Sequence, residues 1–315
     1  MSTGTATQPP AAGAARRQPR SALARARRRR SLTGVAFTSP VAIIALLLFV
    51  IPLGFAFWMS VNDWPLLGDH HFNGLDNYRA IPQNEQFMRA VVFTLIYTVI
   101  TTAIVFTVGL ALALLVAQPR RGVGFFRTAF FLPYVVGTAA AALQWYVLFN
   151  DDLGPFTKIL TDLHVVGGPV DWLGTPTKAT LSVIVMVIWK FIGFQMVVTL
   201  VGLQSIDHGL YEAARLDGSS GWQTMRYITL PLLRPTLTLL LILSITGSLL
   251  AFDQFYIMTA GGPDNSTITM VFSVTREAFT SFKLGTANAF AMVLMVALVI
   301  INLTQLLVLR RGDNQ

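Results

Sequence analysis

Apolar residues run along this chain in long unbroken blocks, not in the alternation of a strand or the narrow stripe of a soluble helix. Six stretches, 36–59, 91–117, 128–149, 182–204, 236–256 and 287–309, are apolar and long enough to cross a bilayer, which takes about 20 residues in a helix. Short polar intervals separate them. The pattern predicts an all-α polytopic membrane protein with six transmembrane helices. The block 128–149 contains Pro133 and Gly137, which a membrane helix tolerates where neighbours satisfy the freed backbone groups. The first block is too long for a signal-peptide core, about 35 residues precede it, and no small-x-small site leads into a soluble domain. It is expected to be retained.

Composition agrees with the blocks. Hydrophobic residues make up 54% of the 315 positions and charged residues 12%, against about 25% charged in a soluble domain. Lipid would cover the difference. The absence of cysteine excludes disulfides, thiolate chemistry and Cys-ligated zinc. His70, His71, His164 and His208 are scattered without HxxxH spacing, so no metal site is expected.

The formal charge of +8 is unevenly placed. Eight arginines (16, 17, 20, 25, 27, 28, 29 and 30) fall in residues 1–35, an Ala/Pro/Ser-rich head without apolar periodicity. That reads as a basic disordered tail ahead of a transmembrane domain, 36–311. A basic block directly before an apolar span is an anchor on anionic lipid before it is a nucleic-acid arm, and no nucleic acid is expected as partner. With the N-terminus in the cytoplasm, the inside segments 1–35, 118–127, 205–235 and 310–315 hold 16 of the 23 Lys and Arg, and the outside loops 60–90, 150–181 and 257–286 hold 6. The positive-inside rule therefore puts both termini in the cytoplasm.

Two charges stand at costly depths. Lys190 lies in the fourth block and Asp253 near the end of the fifth. Each should face a wet cavity or protein interior, or else snorkel, cap a packing contact or belong to the interface. Gln195, Gln254 and Thr259 are polar enough to line the same cavity.

The loop 205–235 carries Leu210-Tyr211-Glu212-Ala213-Ala214-Arg215-Leu216-Asp217-Gly218 and, further on, Ile228-Thr229-Leu230-Pro231. Tyr211 to Leu216 is a strong helix-forming run, with Asp207 as N-cap or Asx turn ahead and Gly218 as stop. So short a helix needs a surface to dock on.

This loop resembles the EAA motif of bacterial ABC importer permeases, with Glu212, Ala213, Ala214, Gly218, Ile228, Leu230 and Pro231 on the pattern. The resemblance covers roughly 35–311. It takes in Gly74-Leu75-Asp76-Asn77-Tyr78, the run from Arg127 to Pro133, Trp145, Phe149-Asn150, Trp172-Leu173-Gly174, the run from Trp189 to Phe194, and the run from Gly202 to Ile206. Phe252-Asp253-Gln254-Phe255, Thr259-Ala260-Gly261-Gly262-Pro263 and Thr267 look like the first permease of a heterodimeric carbohydrate transporter, similar to the maltose and glycerol-phosphate permeases. Asp207 stands where the family commonly has Pro, and Ser219 where Ala is frequent; a capping Asp still starts a helix.

The resemblance implies the type I importer permease fold and a sugar import complex: a second permease, a dimer of ATP-binding subunits, an extracytoplasmic sugar-binding protein meeting loops 60–90 and 257–286, a carbohydrate substrate and the bilayer. Glu212, Ala213, Ala214, Asp217 and Gly218 would form the coupling helix in a groove of the ATPase. Lys190, Phe194, Gln195, Phe252, Asp253 and Gln254 are the substrate-path candidates. No GxxxxGK[ST] run is present, and 121–124 is too short for a phosphate loop. ATP and Mg are therefore expected on the partner ATPase, with no cofactor, metal or catalytic residue in this chain. Two alternatives stay open: an ABC permease for glycerol phosphate or another small solute, and an ion-coupled secondary transporter. An anionic solute would want a basic cavity, which Lys190 and Asp253 together do not make.

Overall fold

The structure is a computed structural model that describes residues 37–118, 120–150, 154–165, 167 and 170–310. The expected basic tail and residues 311–315, Arg311 among them, lie outside the described residues. Helices account for nearly all the regular structure of the described residues.

The first helix, α1 (Phe37–Ser60), is apolar and exposed over almost its whole length, with a π-turn at Leu46–Val50. The chain divides into two units inside α1, between Phe55 and Ala56. The described part of the first unit is only the apolar start of that helix. Everything that follows belongs to the second.

A two-residue hairpin, β1 (Asn62–Asp63) with β2 (His71–Phe72), leads to α2 (Asp76–Ala80). Next comes α3 (Glu85–Ala117), started by the Asn84 side chain, which accepts from the Phe87 N–H at 2.9 Å. Its end is held by Arg127, whose Nη2 donates to the Val116 carbonyl at 2.6 Å, a cation at the negative end of a helix dipole. The helix α7 (Pro176–Gln204) starts on a Thr175 cap with Pro176 in its first turn. These starts lie 6 residues before the blocks 91–117 and 182–204. Hydropathy detects the apolar middle of a helix, whereas capping decides where it begins.

The third block departs furthest from the expected single helix. It is two helices, α4 (Val123–Val135) and α5 (Thr138–Leu148), bent by 99° at the break. Pro133 removes one ladder donor, and Val136 and Gly137 adopt extended backbone. Among the described residues five helices are long and apolar enough to cross a membrane, or six if the bent pair is one span. The fifth block is also interrupted: α10 (Leu230–Leu249) stops at Leu250, and a short helix, α11 (Asp253–Met258), restarts after Phe252. Before α10 lie α9 (Gly221–Thr224) and a π-turn at Met225–Thr229. The chain closes with α12 (Met270–Phe279) and α13 (Leu284–Arg310).

The core centres on α7, with 61% of its most apolar window buried against 28% for α3. Small residues permit the close approach. A Cβ on Gly193 would meet the Phe130 carbonyl at 1.8 Å, and one on Gly109 would meet Gln195 Cγ at 2.4 Å. Gly193 thus lets α7 touch the backbone of α4, and Gly109 lets α3 approach α7. An aromatic cluster of Trp145, Phe149, Phe156, Trp172 and Trp189 closes one end. It is pinned where Trp172 Nε1 donates to Thr157 Oγ1 at 2.7 Å, on α6 (Pro155–Asp162).

At the mouth of α1 the Asn77 amide donates to the Ser60 and Asn62 carbonyls at 2.9 and 2.8 Å, and its oxygen accepts from Thr286 Oγ1 at 3.5 Å. Gly285 leaves room for the Asn62 carbonyl. The Asn-Tyr pair after the first block is therefore a clip between the start of α13 and the chain leaving α1, completed by Tyr78 OH against Ser60 Oγ at 2.6 Å.

Candidate functional site

The helix breaks converge on one cavity of about 360 Å³. Its wall is drawn from α3 (Tyr97, Thr101, Thr102), from either side of the α4–α5 break (Tyr134, Thr138), from α7 (Phe191, Phe194, Gln195), from α10 (Ser244, Gly247, Ser248) and from the second break (Phe252, Asp253, Gln254). A broken helix exposes backbone and aims side chains inward, and in a membrane such backbone survives only beside protein or a cavity.

Five of the six substrate-path candidates meet here: Phe194, Gln195, Phe252, Asp253 and Gln254. Phe194 lies flat on Tyr134, ring centroids 4.4 Å apart at 15°. Gln254 is buried and donates from Nε2 to Tyr97 OH at 3.2 Å. Gln195 Nε2 and Thr102 Oγ1 are buried without a protein partner, so each holds hydrogen-bonding capacity for a guest. Lys190 is not on the wall; its ammonium donates to the Tyr134 and Val136 carbonyls at the break. Thr259 lies away from the cavity, in the loop after α11, where its Oγ1 pairs with Thr267 Oγ1 at 2.7 Å.

The second place of interest is α8 (His208–Leu216). Asp207 is its cap, accepting from the Gly209 N–H at 3.0 Å. At the other end Ser219 N donates to the Ala214 carbonyl and Gly218 N to that of Arg215, with Gly218 at φ +74°. That is a Schellman stop, which needs the left-handed residue. Ala214 packs inward while Glu212, Ala213 and Asp217 are exposed. Around them stand exposed apolar side chains, Leu216 at 89% and Trp222 at 71%.

The sequence profile of a family described as the inner membrane component of binding-protein-dependent transport systems matches residues 106–311. The chain belongs to that family, as a bacterial ABC importer permease of the carbohydrate-uptake type.

A probable ABC transporter permease of Sinorhizobium fredii is 34% identical to the permease over 94% of this chain and 96% of its own. A trehalose/maltose transport system permease of Thermococcus litoralis is 33% identical over 82% of this chain and 85% of its own. Among solved structures, a bacterial ABC transporter involved in import of the acidic polysaccharide alginate superposes with TM-score 0.78 at 24% identity, over 90% of this chain and 96% of that one; this similarity bears on the fold alone. The permease is a transport subunit, and family membership brings the general importer architecture of a second permease, an ATPase pair, a solute-binding protein and the membrane.

Wall residues not anticipated from sequence include Tyr97, Thr101, Thr102, Tyr134, Thr138, Ser244 and Ser248. One signal for them was in plain sight. Thr94, Tyr97, Thr98, Thr101 and Thr102 recur at helical spacing within an apolar block, and all five are buried. A polar stripe on a membrane helix faces away from lipid. Tyr134 and Thr138 carried no such mark, since only the bend brings them together.

Proposed function

We propose that this permease, with a second permease subunit, lines the path of a neutral sugar imported at the expense of ATP hydrolysed on partner subunits. The carrying observation is the chemistry of the cavity wall. It offers aromatic faces for a sugar ring, amides and hydroxyls for its OH groups, and one carboxylate, Asp253, with no Lys, Arg or His among the lining residues. An anion would meet repulsion there and no cation; a polyhydroxylated neutral ring would meet donors and acceptors. The relative named for trehalose and maltose supports the same class. That wall also weighs against glycerol phosphate.

The exposed face of α8, with Glu212, Ala213, Leu216 and Asp217, is proposed as the surface that the ATPase engages. Docking there requires both termini to be cytoplasmic, in keeping with the arginine distribution. Ala214 would act from inside the joint by letting α8 sit close to its own chain. Loops 60–90 and 257–286 would then meet an extracytoplasmic sugar-binding protein.

The test is calorimetric titration of the cognate binding protein against mono-, di- and oligosaccharides and glycerol phosphate, followed by uptake into proteoliposomes containing the whole complex. A neutral sugar should bind, and Asp253→Asn with Gln254→Ala should raise its uptake KM by about tenfold or more, the scale of one or two lost hydrogen bonds. Binding confined to a phosphorylated or non-carbohydrate solute would overturn the sugar reading.

A further inference from the structure

Among the described residues Lys190 is the one buried cation, 3% exposed, and no carboxylate pairs with it. Its charge is met in another way. Nζ donates to the carbonyls of Tyr134, in the last turn of α4, and Val136, its C-cap. It also stands 5.9 Å from the Tyr134 ring centre and 5.4 Å from that of Phe191. A helix end leaves carbonyls without ladder donors and carries partial negative charge. Inside a membrane those carbonyls have no water to turn to. An ammonium brought from α7 answers both needs.

The location gives this contact a reach beyond stability. Tyr134 and Thr138 flank the break and line the cavity, and Tyr134 stacks on Phe194, one turn after Lys190 on α7. The same α7 runs into the Asp207 cap and α8. Phe194 and Gln195, four and five residues beyond Lys190, contribute to the wall directly.

We propose that Lys190 is a positioning residue for transport: it fastens the α4–α5 break to α7, so that the wall formed by Tyr134 and Thr138 moves in step with the helix that carries α8. It touches backbone and not solute. A lysine suits this role because a single ammonium offers three donors that two carbonyls can share. Methionine would fill the same volume with no donor, while arginine would keep charge and donors on a bulkier head.

The proposal rests on the cavity being the solute path, and the experiment separates the two. Lys190→Met and Lys190→Arg are made in the complete complex, each with spin labels at Leu132 and Leu143, exposed positions on either side of the break. Three quantities are read: the inter-label distance distribution, uptake KM, and basal ATP hydrolysis. With Lys190→Met the distances should broaden and KM should rise about tenfold, a typical size for a coupling contact, while basal hydrolysis stays within about twofold. Lys190→Arg should narrow the distances again and recover most of the KM. A raised KM with an unchanged distance distribution would place Lys190 on the solute and overturn the proposal, as would unchanged KM and distances together. If Lys190→Met does not assemble, labelled Lys190→Leu, which likewise carries no donor, is read the same way. Unaltered uptake in the Asp253 and Gln254 variants would instead count against the cavity as path.

Discussion

A backbone carbonyl inside a membrane has few donors to choose from, and Phe130 shows how closely one can be approached. Its oxygen would lie 1.8 Å from a Cβ on Gly193, so Gly193→Val must push α4 off α7. We expect a loss of about 1–3 kcal/mol from such overpacking, read as a lower thermal midpoint of the purified complex; an unchanged midpoint would contradict this packing. Tyr97 and Gln254 give a second residue-level prediction. Tyr97→Phe leaves the Gln254 amide unpaired in a buried place, at a cost of about 1–3 kcal/mol, and adding Gln254→Leu should recover part of it in a double-mutant cycle. Strictly additive costs would mean the 3.2 Å contact carries no weight.

Among elements, α8 was the most legible in sequence because all its signals are local: a capping Asp207, a helix-forming run and Gly218. Gly218→Ala places a Cβ at φ +74°, which costs about 1–2 kcal/mol. Gly218→Pro also removes the N–H that donates to Arg215. The proline variant should lower solute-stimulated ATP hydrolysis in the assembled complex while membrane insertion is kept; full stimulated hydrolysis would disprove the coupling role of α8. The third span was only half legible. Pro133 and Gly137 mark an interruption, but the 99° bend depends on what receives the freed carbonyls. That group, Lys190, lies more than 50 residues away. Likewise Asp253 read as a residue of a span and proves to start a new helix after a break, a fact no period-counting supplies.

On the scale of the whole molecule, hydropathy reveals how many apolar helices there are, but not which of them is central. The burial of α7 follows from the placement of Gly193 and Gly109 opposite particular partners. Orientation is open to direct measurement, since the chain has no cysteine and single replacements report cleanly. Ser219→Cys should react with a membrane-impermeant maleimide only after the membrane is opened, and Leu67→Cys, at an 88% exposed position, from outside in intact cells. The reverse pattern would invert the proposed topology.

Asn77 joins parts of the chain that a ribosome makes far apart in time. Its amide can hold Ser60 and Asn62 early, yet its oxygen waits for Thr286, at the start of the last described helix. Until then the Asn62 carbonyl also lacks Gly285, the residue it packs against. A nascent permease stopped before Leu284 therefore carries an open clip, with the Asn77 amide engaged and its oxygen still without Thr286.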